Sequence, residues 1–389
     1  MIPVAYNLRS LAVRRTTTLA TAFGVALVVF VLASARMLSE GIRRTLGQGG
    51  RADTAIVLRK GSDAELASSI EEPMVGLVLA APGVARDSRG GGLGVGEVVV
   101  VITMEKAGMP GQVSNVLVRG VPDHVMQLRP EVRIVAGRPA RPGTDEVIIG
   151  QRIAGRFVGL ELGRSFELRK NRPVVVVGVF AAEGSSFESE IWGDLNTVRN
   201  SFGREGIVSS VRVRLESPAK FDAFAAAVAQ DKQLGLEAMR ETDFLRKASE
   251  GTAEFVGILG MLIALFFSIG AMIGAMITMY ASIASRQREI GTLRALGFSR
   301  LSILASFLLE AVLLALLGGL VGAGMSLLMG FVRFSMINFA TWSEVVFSFS
   351  PTVEIIGSAL AFAAGMGVLG GLLPAVRAAR LSPLQAIRG

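Results

Sequence analysis

Four long apolar runs constrain the fold of this 389-residue chain more than any other feature of its sequence. Each run lacks charged residues over 20 or more positions, and the runs occupy residues 16–35, 255–285, 311–332 and 355–376. An α-helix rises about 1.5 Å per residue, so about 20 residues cross the hydrocarbon core of a bilayer. The sequence therefore predicts four membrane-spanning helices and an integral membrane protein.

The charge and composition narrow the class of protein further. Hydrophobic residues make up 51% of the chain, and its formal net charge is +8. A basic chain can bind nucleic acid, but here the arginines cluster at the ends of the apolar runs, which is typical of the positive-inside rule. We therefore expect no nucleic-acid partner. The chain has no cysteine and a single histidine, which excludes disulfides and Cys/His zinc sites.

The apolar runs and the polar segments between them divide the chain into regions. In order, these are a cytoplasmic interfacial helix (1–15), a first span (16–38), an outer block with a stalk (39–254), a second span (255–284), a cytoplasmic amphipathic segment (285–300), a third span (301–332), a short outer loop (333–354), a fourth span (355–376) and a cytoplasmic tail (377–389).

The short segments also predict the orientation in the membrane. Residues 1–15 and 377–389 each carry three arginines and no acid, and 286–300 carries four arginines and one glutamate. The loop at 333–354 has one arginine and two glutamates. Because arginine-rich loops stay in the cytoplasm, both termini and the central segment are predicted there, with the large block outside. We expect a multi-pass protein of the bacterial inner membrane with a periplasmic domain.

The first apolar run has a second interpretation. A basic start, an apolar run and Ala33-Ser34-Ala35 also resemble a secretory signal peptide with its cleavage site. The run is longer than the usual core of a signal peptide, which favours a retained membrane anchor.

The outer block predicts an α+β domain. Valine- and isoleucine-rich runs predict strands at 55–58, 98–102, 116–118, 147–149, 174–177 and 211–215, the last with strict alternation that is typical of a half-exposed strand. Helices are expected at 63–81 and 218–232. A Pro- and Gly-rich stretch at 137–143 suggests a junction between two lobes. Residues 240–254 predict a helix that leads directly into the second span as a stalk.

The polar segment between the second and third spans has an amphipathic helical pattern. Ile290, Leu293 and Leu296 recur at a spacing of three residues, and Gly297 is a helix stop signal. The charged residues on the other faces are Arg286, Arg288, Glu289 and Arg294. The pattern predicts a helix at the membrane surface that is joined to two spans and can carry force into them. The plainer alternative is a basic anchor that binds anionic lipid.

Other candidate sites are few. The sequence contains no Gly-x-x-x-x-Gly-Lys-[Ser/Thr] phosphate loop and no Gly-x-Ser-x-Gly nucleophile motif, so we predict no catalytic, cofactor or metal site in this chain. Glu310 lies early in the third span, and an acidic residue within a membrane span indicates function. Its two interpretations are pairing with another helix near the cytoplasmic edge and intramembrane energy coupling.

The motifs together resemble a known family. Arg-Gln-Arg-Glu-Ile-Gly-Thr-Leu-Arg-Ala-Leu-Gly at 286–297 and the tail motif at 373–388 are similar to those of the FtsX/MacB-type (type VII) ABC transporter permeases. Residues 136–138 and 177–181 are less specifically similar to the periplasmic core of that family. Without a phosphate loop, the chain looks most like the stand-alone permeases of the LolC, DevC and FtsX kind.

This resemblance implies a function, partners and a site. The fold would be four spans with a porter/Sabre-like outer domain between the first two. The chain would be a non-catalytic subunit of a permease dimer with identical or different subunits. A separate ABC ATPase would bind ATP and Mg²⁺, and the permease would transmit its motion to the periplasm. This motion would drive export or extraction of a substrate. A periplasmic adaptor or outer-membrane partner would complete the assembly. The ATPase-coupling residues would be Arg286, Arg288, Glu289, Ile290, Gly291, Leu293, Arg294, Leu296 and Gly297.

Two other functions remain open at this point. One is an FtsX-like regulator that activates a periplasmic enzyme without transport, and the other is a membrane-anchored receptor without an ATPase.

Overall fold

The computed structural model describes residues 15–47, 49–87, 90–231 and 234–381. They form two compact units, and the chain passes between them several times. The helical unit comprises the chain up to Glu40, Glu254–Val332 and the chain from Phe349 onward, and the sheet unit comprises Gly41–Ala253 and Arg333–Ser348. The interfacial helix predicted at 1–15 lies outside the described residues except for Arg15, as does the tail from residue 382.

The helical unit is built on four long helices, two of which continue into the sheet unit. They are α1 (Arg15–Gly47), α6 (Glu241–Ser285), α8 (Arg300–Leu327) and α9 (Val353–Arg380), with the short helix α7 (Gln287–Ala295) between α6 and α8. All four are long and apolar enough to cross a membrane. The predicted fold class, four apolar helices with a large domain inserted between the first two, is confirmed.

Local side-chain caps fix where two of these helices begin. The hydroxyl of Ser299 accepts a hydrogen bond from the backbone N–H of Ser302 at the start of α8, and Thr352 does the same for Ile355 at the start of α9. Each cap satisfies one of the backbone donors that a helix leaves unpaired in its first turn.

Small residues allow the long helices to pack closely. A Cβ added to Gly318 would lie 2.4 Å from the carbonyl oxygen of Ala22, and one added to Gly367 would lie 2.8 Å from the Cβ of Ala315. Backbones approach this closely only where side chains are absent or small, as is common between helices in lipid. Glycines in the spans therefore allow α1 to pack closely against α8, and α8 against α9.

The sheet unit is built on ten strands in one sheet. They are β1 (Thr54–Arg59), β3 (Gly94–Glu105), β4 (Val113–Val121), β5 (Arg133–Gly137), β6 (Glu146–Gly150), β7 (Ser165–Arg169), β8 (Arg172–Ala181), β9 (Glu190–Asp194), β11 (Ser210–Arg214) and β12 (Leu236–Arg240). Their order in the sheet is β12-β1-β11-β3-β4-β9-β6-β8-β5, and β7 pairs with β8. The pairs β4/β9 and β6/β8 are parallel, and the other pairs in this sheet are antiparallel.

Short helices and a two-stranded sheet complete the unit. The helices are α2 (Glu72–Leu79), α3 (Val125–Leu128), α4 (Leu195–Phe202) and α5 (Phe221–Gln230), and β2 (Ile70–Glu71) pairs with β10 (Ile207–Val208). One hydrophobic core lies among β1, β11, α2 and α5, and another among β3, β4, β6, β8, β9 and α4. The two lobes therefore meet where β11 pairs with β3.

Two predictions about this unit are wrong. The stretch at 137–143 joins β5 to β6 inside one lobe, because both strands pair with β8. The alternating stretch at 211–215 is not half-exposed, since Arg212 is only 1% exposed. Its burial has a physical cause, because acidic side chains surround the guanidinium group, as described below.

The segment between α8 and α9 contributes a hairpin that the sequence analysis did not predict. Strands β13 (Arg333–Ile337) and β14 (Glu344–Ser348) pair with each other and belong to the sheet unit. Glu344 is buried and forms ion pairs with Lys106 at 2.8 Å and Arg156 at 2.9 Å. Arg152 donates to the carbonyl oxygen of Val346. The hairpin is thus held to the larger part of its unit by buried polar contacts.

Candidate coupling site

Helix α7 is a separate short helix between α6 and α8. The chain leaves helical geometry at Arg286, whose φ and ψ are −113° and 16°, and resumes it at Gln287. The helix ends at Ala295, and Gly297 just beyond it adopts a φ of 94° that suits glycine. Backbone bonds from Phe298 to Leu293 and from Gly297 to Arg294 satisfy the last carbonyl groups in a Schellman motif. The predicted helix and its glycine stop are confirmed.

The inner face of α7 packs into an apolar cluster. Ile290 is 1% exposed and belongs to a cluster with Ile283 of α6, Ile303 and Phe307 of α8, and Ala375 of α9. Gly291 beside it is also buried. Ile290 therefore anchors α7 to the three neighbouring helices of the unit.

The outer face of α7 presents both charged and apolar groups. Arg288 and Thr292 are exposed, and Leu296 is 72% exposed. Arg294 is partly buried and donates to the carbonyl oxygen of Phe298 at 3.0 Å, so it also supports the end of the helix. Of the predicted coupling residues, Arg288 and Leu296 are thus the clearest candidates for contact with a partner.

Arg286 brings together two acidic residues that are far apart in sequence. Its Nε atom donates to Glu289 at 2.9 Å, and its Nη1 atom donates to Glu310 of α8 at 3.1 Å. Its guanidinium carbon lies 5.4 Å from the centre of the Phe307 ring, a cation–π distance. Burial and the negative charge of Glu310 raise the pKa of Glu289. Glu310 therefore takes part in pairing between helices, one of its two predicted interpretations.

A cavity of about 70 Å³ lies among the four long helices beside this pair. Glu310 lines it, together with hydroxyl-bearing residues from α1 and α6, including Thr21 and Thr278, whose hydroxyl oxygens are 2.9 Å apart. This volume corresponds to a few water molecules.

A buried cluster of seven charged residues lies in the sheet unit. Arg119 forms ion pairs with Glu65, Glu97 and Glu190 at 2.8 to 3.0 Å. The other members are Arg129, which pairs with Glu97, and Arg212, which pairs with Glu65, Glu97 and Glu241. All seven are buried.

Glu65 is held in its charged form within the cluster, and the cluster reaches the long helix α6. Burial alone would raise the pKa of Glu65, but the charges of Arg119 and Arg212 outweigh it and hold that pKa well below its ordinary value. Glu241, the first residue of α6, accepts from the Nε atom of Arg212 at 3.1 Å. The cluster thus fixes the start of α6 to the sheet.

Sequence reasoning did not identify this cluster. The only sequence signal was the placement of Glu97 and Arg119 within valine-rich runs, where charged side chains are rare unless paired.

Two family models match the chain. The MacB-like periplasmic core domain matches residues 16–231, more than half of the chain, and the FtsX-like permease C-terminal domain matches residues 261–383.

Curated relatives agree with these matches. The chain is 32% identical over 234 residues to the macrolide export ATP-binding/permease protein MacB of Neisseria gonorrhoeae, covering 58% of this chain and 35% of the relative. It is 30% identical over 227 residues to the uncharacterized ABC transporter permease YknZ of Bacillus subtilis, covering 56% and 54%. A MacB of Burkholderia cenocepacia is 32% identical over 293 residues, covering 70% and 41%. The chain thus matches between about a third and about half of these relatives' lengths.

Solved structures show a distant similarity. The extracellular domain of YknZ from Gram-positive bacteria has 21% identity and a TM-score of 0.37, covering 48% of this chain and 99% of that chain. The periplasmic region of MacB from Actinobacillus actinomycetemcomitans has 12% identity and a TM-score of 0.39, covering 52% and 95%.

Four apolar helices with a MacB-like periplasmic core domain between the first two define a class of membrane permease. The chain belongs to the FtsX/MacB-type family of ABC transporter permeases. The resemblance noted in the sequence is confirmed. The role of residues 286–297 in ATPase coupling stays a prediction.

Proposed function

We propose that this chain is a permease subunit that converts ATP hydrolysis by an ABC ATPase into movement of its sheet unit on the outer side of the bacterial inner membrane. The observation that carries the proposal is the two-sided character of α7. Its inner face is fixed to α6, α8 and α9 through Ile290 and Arg286, while Arg288 and Leu296 are exposed on its outer face. A partner that moves α7 would therefore also displace the helices attached to it.

The length of α6 supports transmission of that movement. The helix is continuous over 45 residues, about 67 Å. Its last residue, Ser285, adjoins Arg286 at the start of α7, and its first residue, Glu241, is bound in the buried charge cluster. A helix fixed at one end by ion pairs and joined at the other to α7 suits mechanical coupling without a substrate channel.

The ATPase is proposed to be a separate polypeptide. The 389 residues contain no phosphate-loop motif, and ATP and Mg²⁺ would be bound by that partner. The active assembly would contain two permease subunits and two ATPase subunits, with the termini and α7 in the cytoplasm. The substrate would be exported or extracted from the periplasm or the outer leaflet, with an adaptor or outer-membrane partner.

The test uses the tagged chain purified in mild detergent from membranes of its own host. We expect vanadate-sensitive ATP hydrolysis to co-purify with the wild-type chain, and Arg288→Glu and Leu296→Asp each to lower it about tenfold, as expected for loss of one interface contact. The chain produced in a host that lacks the ATPase should hydrolyse no ATP.

The matched control is Leu77→Asp, because Leu77 is also a well-exposed leucine, at 57%, but lies in the sheet unit. It should retain the wild-type ATPase activity. If Arg288→Glu and Leu296→Asp retain that activity at equal expression, α7 does not dock an ATPase.

A further inference from the structure

Arg286 occupies the junction of three helices. It is the one residue between the end of α6 at Ser285 and the start of α7 at Gln287. Its side chain extends to Glu289 in the first turn of α7 and to Glu310, which lies about three turns into α8. A single guanidinium group therefore connects α6, α7 and α8.

The burial of Arg286 sets it apart from its neighbour Arg288. The side chain of Arg286 is 9% exposed and stacks near the ring of Phe307, whereas Arg288 is exposed. Two carboxylates hold the buried guanidinium in one orientation, and removing one partner of such a group leaves an uncompensated charge. Arg286 is therefore suited to hold helices together and poorly placed to bind a partner protein.

We propose that Arg286 is a positioning residue that locks α7 to α8 through Glu310, so that a displacement of α7 reaches the third span. This inference rests on the proposed function for its role in coupling. The ion pair between Arg286 and Glu310 lies within the permease, so it can be tested without an ATPase. In this proposal Arg286 attaches α7 to its own subunit, and Arg288 contacts the partner.

The first experiment measures the lock without any ATPase. Hydrogen exchange of the α7 amides is followed by mass spectrometry in the purified full chain in nanodiscs. Arg286→Gln and Glu310→Gln should each speed exchange in α7 by about tenfold, the equivalent of one lost charge-assisted hydrogen bond. Gln287→Ala, at an exposed position of the same helix, is the matched control and should leave the exchange rate unchanged.

Exchanging the two charges distinguishes loss of the ion pair from a general disruption of the fold. Arg286→Glu combined with Glu310→Arg keeps two acids and one arginine at the junction and should restore slow exchange. Arg286→Lys retains one charge but lacks the planar fork, so it should protect α7 only in part. The proposal is wrong if the α7 amides of Arg286→Gln exchange at the wild-type rate. It is also wrong if they exchange as fast in the double variant as in either single variant.

The second experiment tests coupling in the complex with the co-purifying ATPase. Arg286→Gln should retain the bound ATPase while losing at least half of the transmitted movement, read as the ATP-dependent change in exchange of the α8 amides. Loss of the bound ATPase with unchanged α7 exchange would instead make Arg286 a direct contact and contradict its positioning role. If no ATPase binds the wild type, the proposed function fails, but the exchange experiment still decides the lock.

Discussion

At the scale of single residues, charged side chains in this protein are buried in groups rather than singly. The clearest small example is Glu344 of β14, which is 4% exposed. Burial alone would raise its pKa, but hydrogen bonds from Lys106, Ser114 and Ser335 outweigh that effect and lower the pKa to about 2. The carboxylate is therefore charged in the folded protein at any ordinary pH.

The lowered pKa of Glu344 predicts a pH dependence of stability. A carboxyl group whose pKa is lower in the folded state stabilises the fold above its ordinary pKa of 4.5, and that contribution is lost as the pH falls towards 2. At pH 7, Glu344→Gln should lower the free energy of unfolding by about 1–3 kcal/mol, because Lys106 and Arg156 lose the negative charge with which they pair.

The measurement is the thermal unfolding temperature of the full chain and the variant across pH. The difference between them should shrink as the pH is lowered from 4.5 to 2. Glu161→Gln, an exposed glutamate in the same unit, is the control and should match the wild type throughout. A difference that is the same at all pH values would contradict the proposed charge on Glu344.

At the scale of secondary-structure elements, the contact between α8 and α9 depends on glycines at particular positions. A Cβ at Gly367 would lie 2.8 Å from the Cβ of Ala315 and 2.9 Å from the Cα of Val312, whereas a Cβ at Gly365 would meet nothing within 4 Å. The two glycines are two residues apart on the same helix, so they face different directions.

Gly367→Ala should therefore destabilise the protein where Gly365→Ala does not. Overpacking of a tight contact typically costs about 1–3 kcal/mol, while alanine at an open helical position is neutral or slightly stabilising. Thermal unfolding and the yield of monodisperse protein after detergent extraction measure the effect. If the two variants have the same unfolding temperature and yield, α8 and α9 can move apart at Gly367 at little cost in free energy.

The elements differ in how far their sequence predicts them. The four spans and α7 follow from sequence because a long uncharged run has essentially one stable form in a bilayer, and valine-rich runs favour strands. The burial of Arg212 does not follow, because it depends on Glu65, which lies 147 positions away in the chain. The contact between Arg286 and Glu310 does not follow from the sequence for the same reason, since the two residues lie 24 positions apart.

At the scale of the whole molecule, the proposed function requires one particular orientation in the membrane. The chain has no cysteine, so single cysteines can be introduced without a background. Ser165→Cys lies at an exposed position of the sheet unit, and Thr292→Cys lies on the exposed face of α7.

In intact spheroplasts, a membrane-impermeant maleimide should label Ser165→Cys and not Thr292→Cys, because arginine-rich segments stay in the cytoplasm. Both should be labelled after the membranes are opened, which shows that each cysteine is reactive. Labelling of Thr292→Cys alone in intact cells would reverse the proposed orientation.

The β13–β14 hairpin has a consequence for how the protein is made. The ribosome completes Gly41–Ala253 before it synthesises the third apolar helix and then Arg333–Ser348. Until the hairpin arrives, Lys106 and Arg156 lack Glu344, and Arg152 lacks the carbonyl group of Val346. The hairpin reaches its place only if α8 has inserted in the correct direction. We therefore predict that completion of the sheet unit depends on correct insertion of a later helix, and that a chain with α8 wrongly inserted would leave this unit incomplete and exposed to proteases.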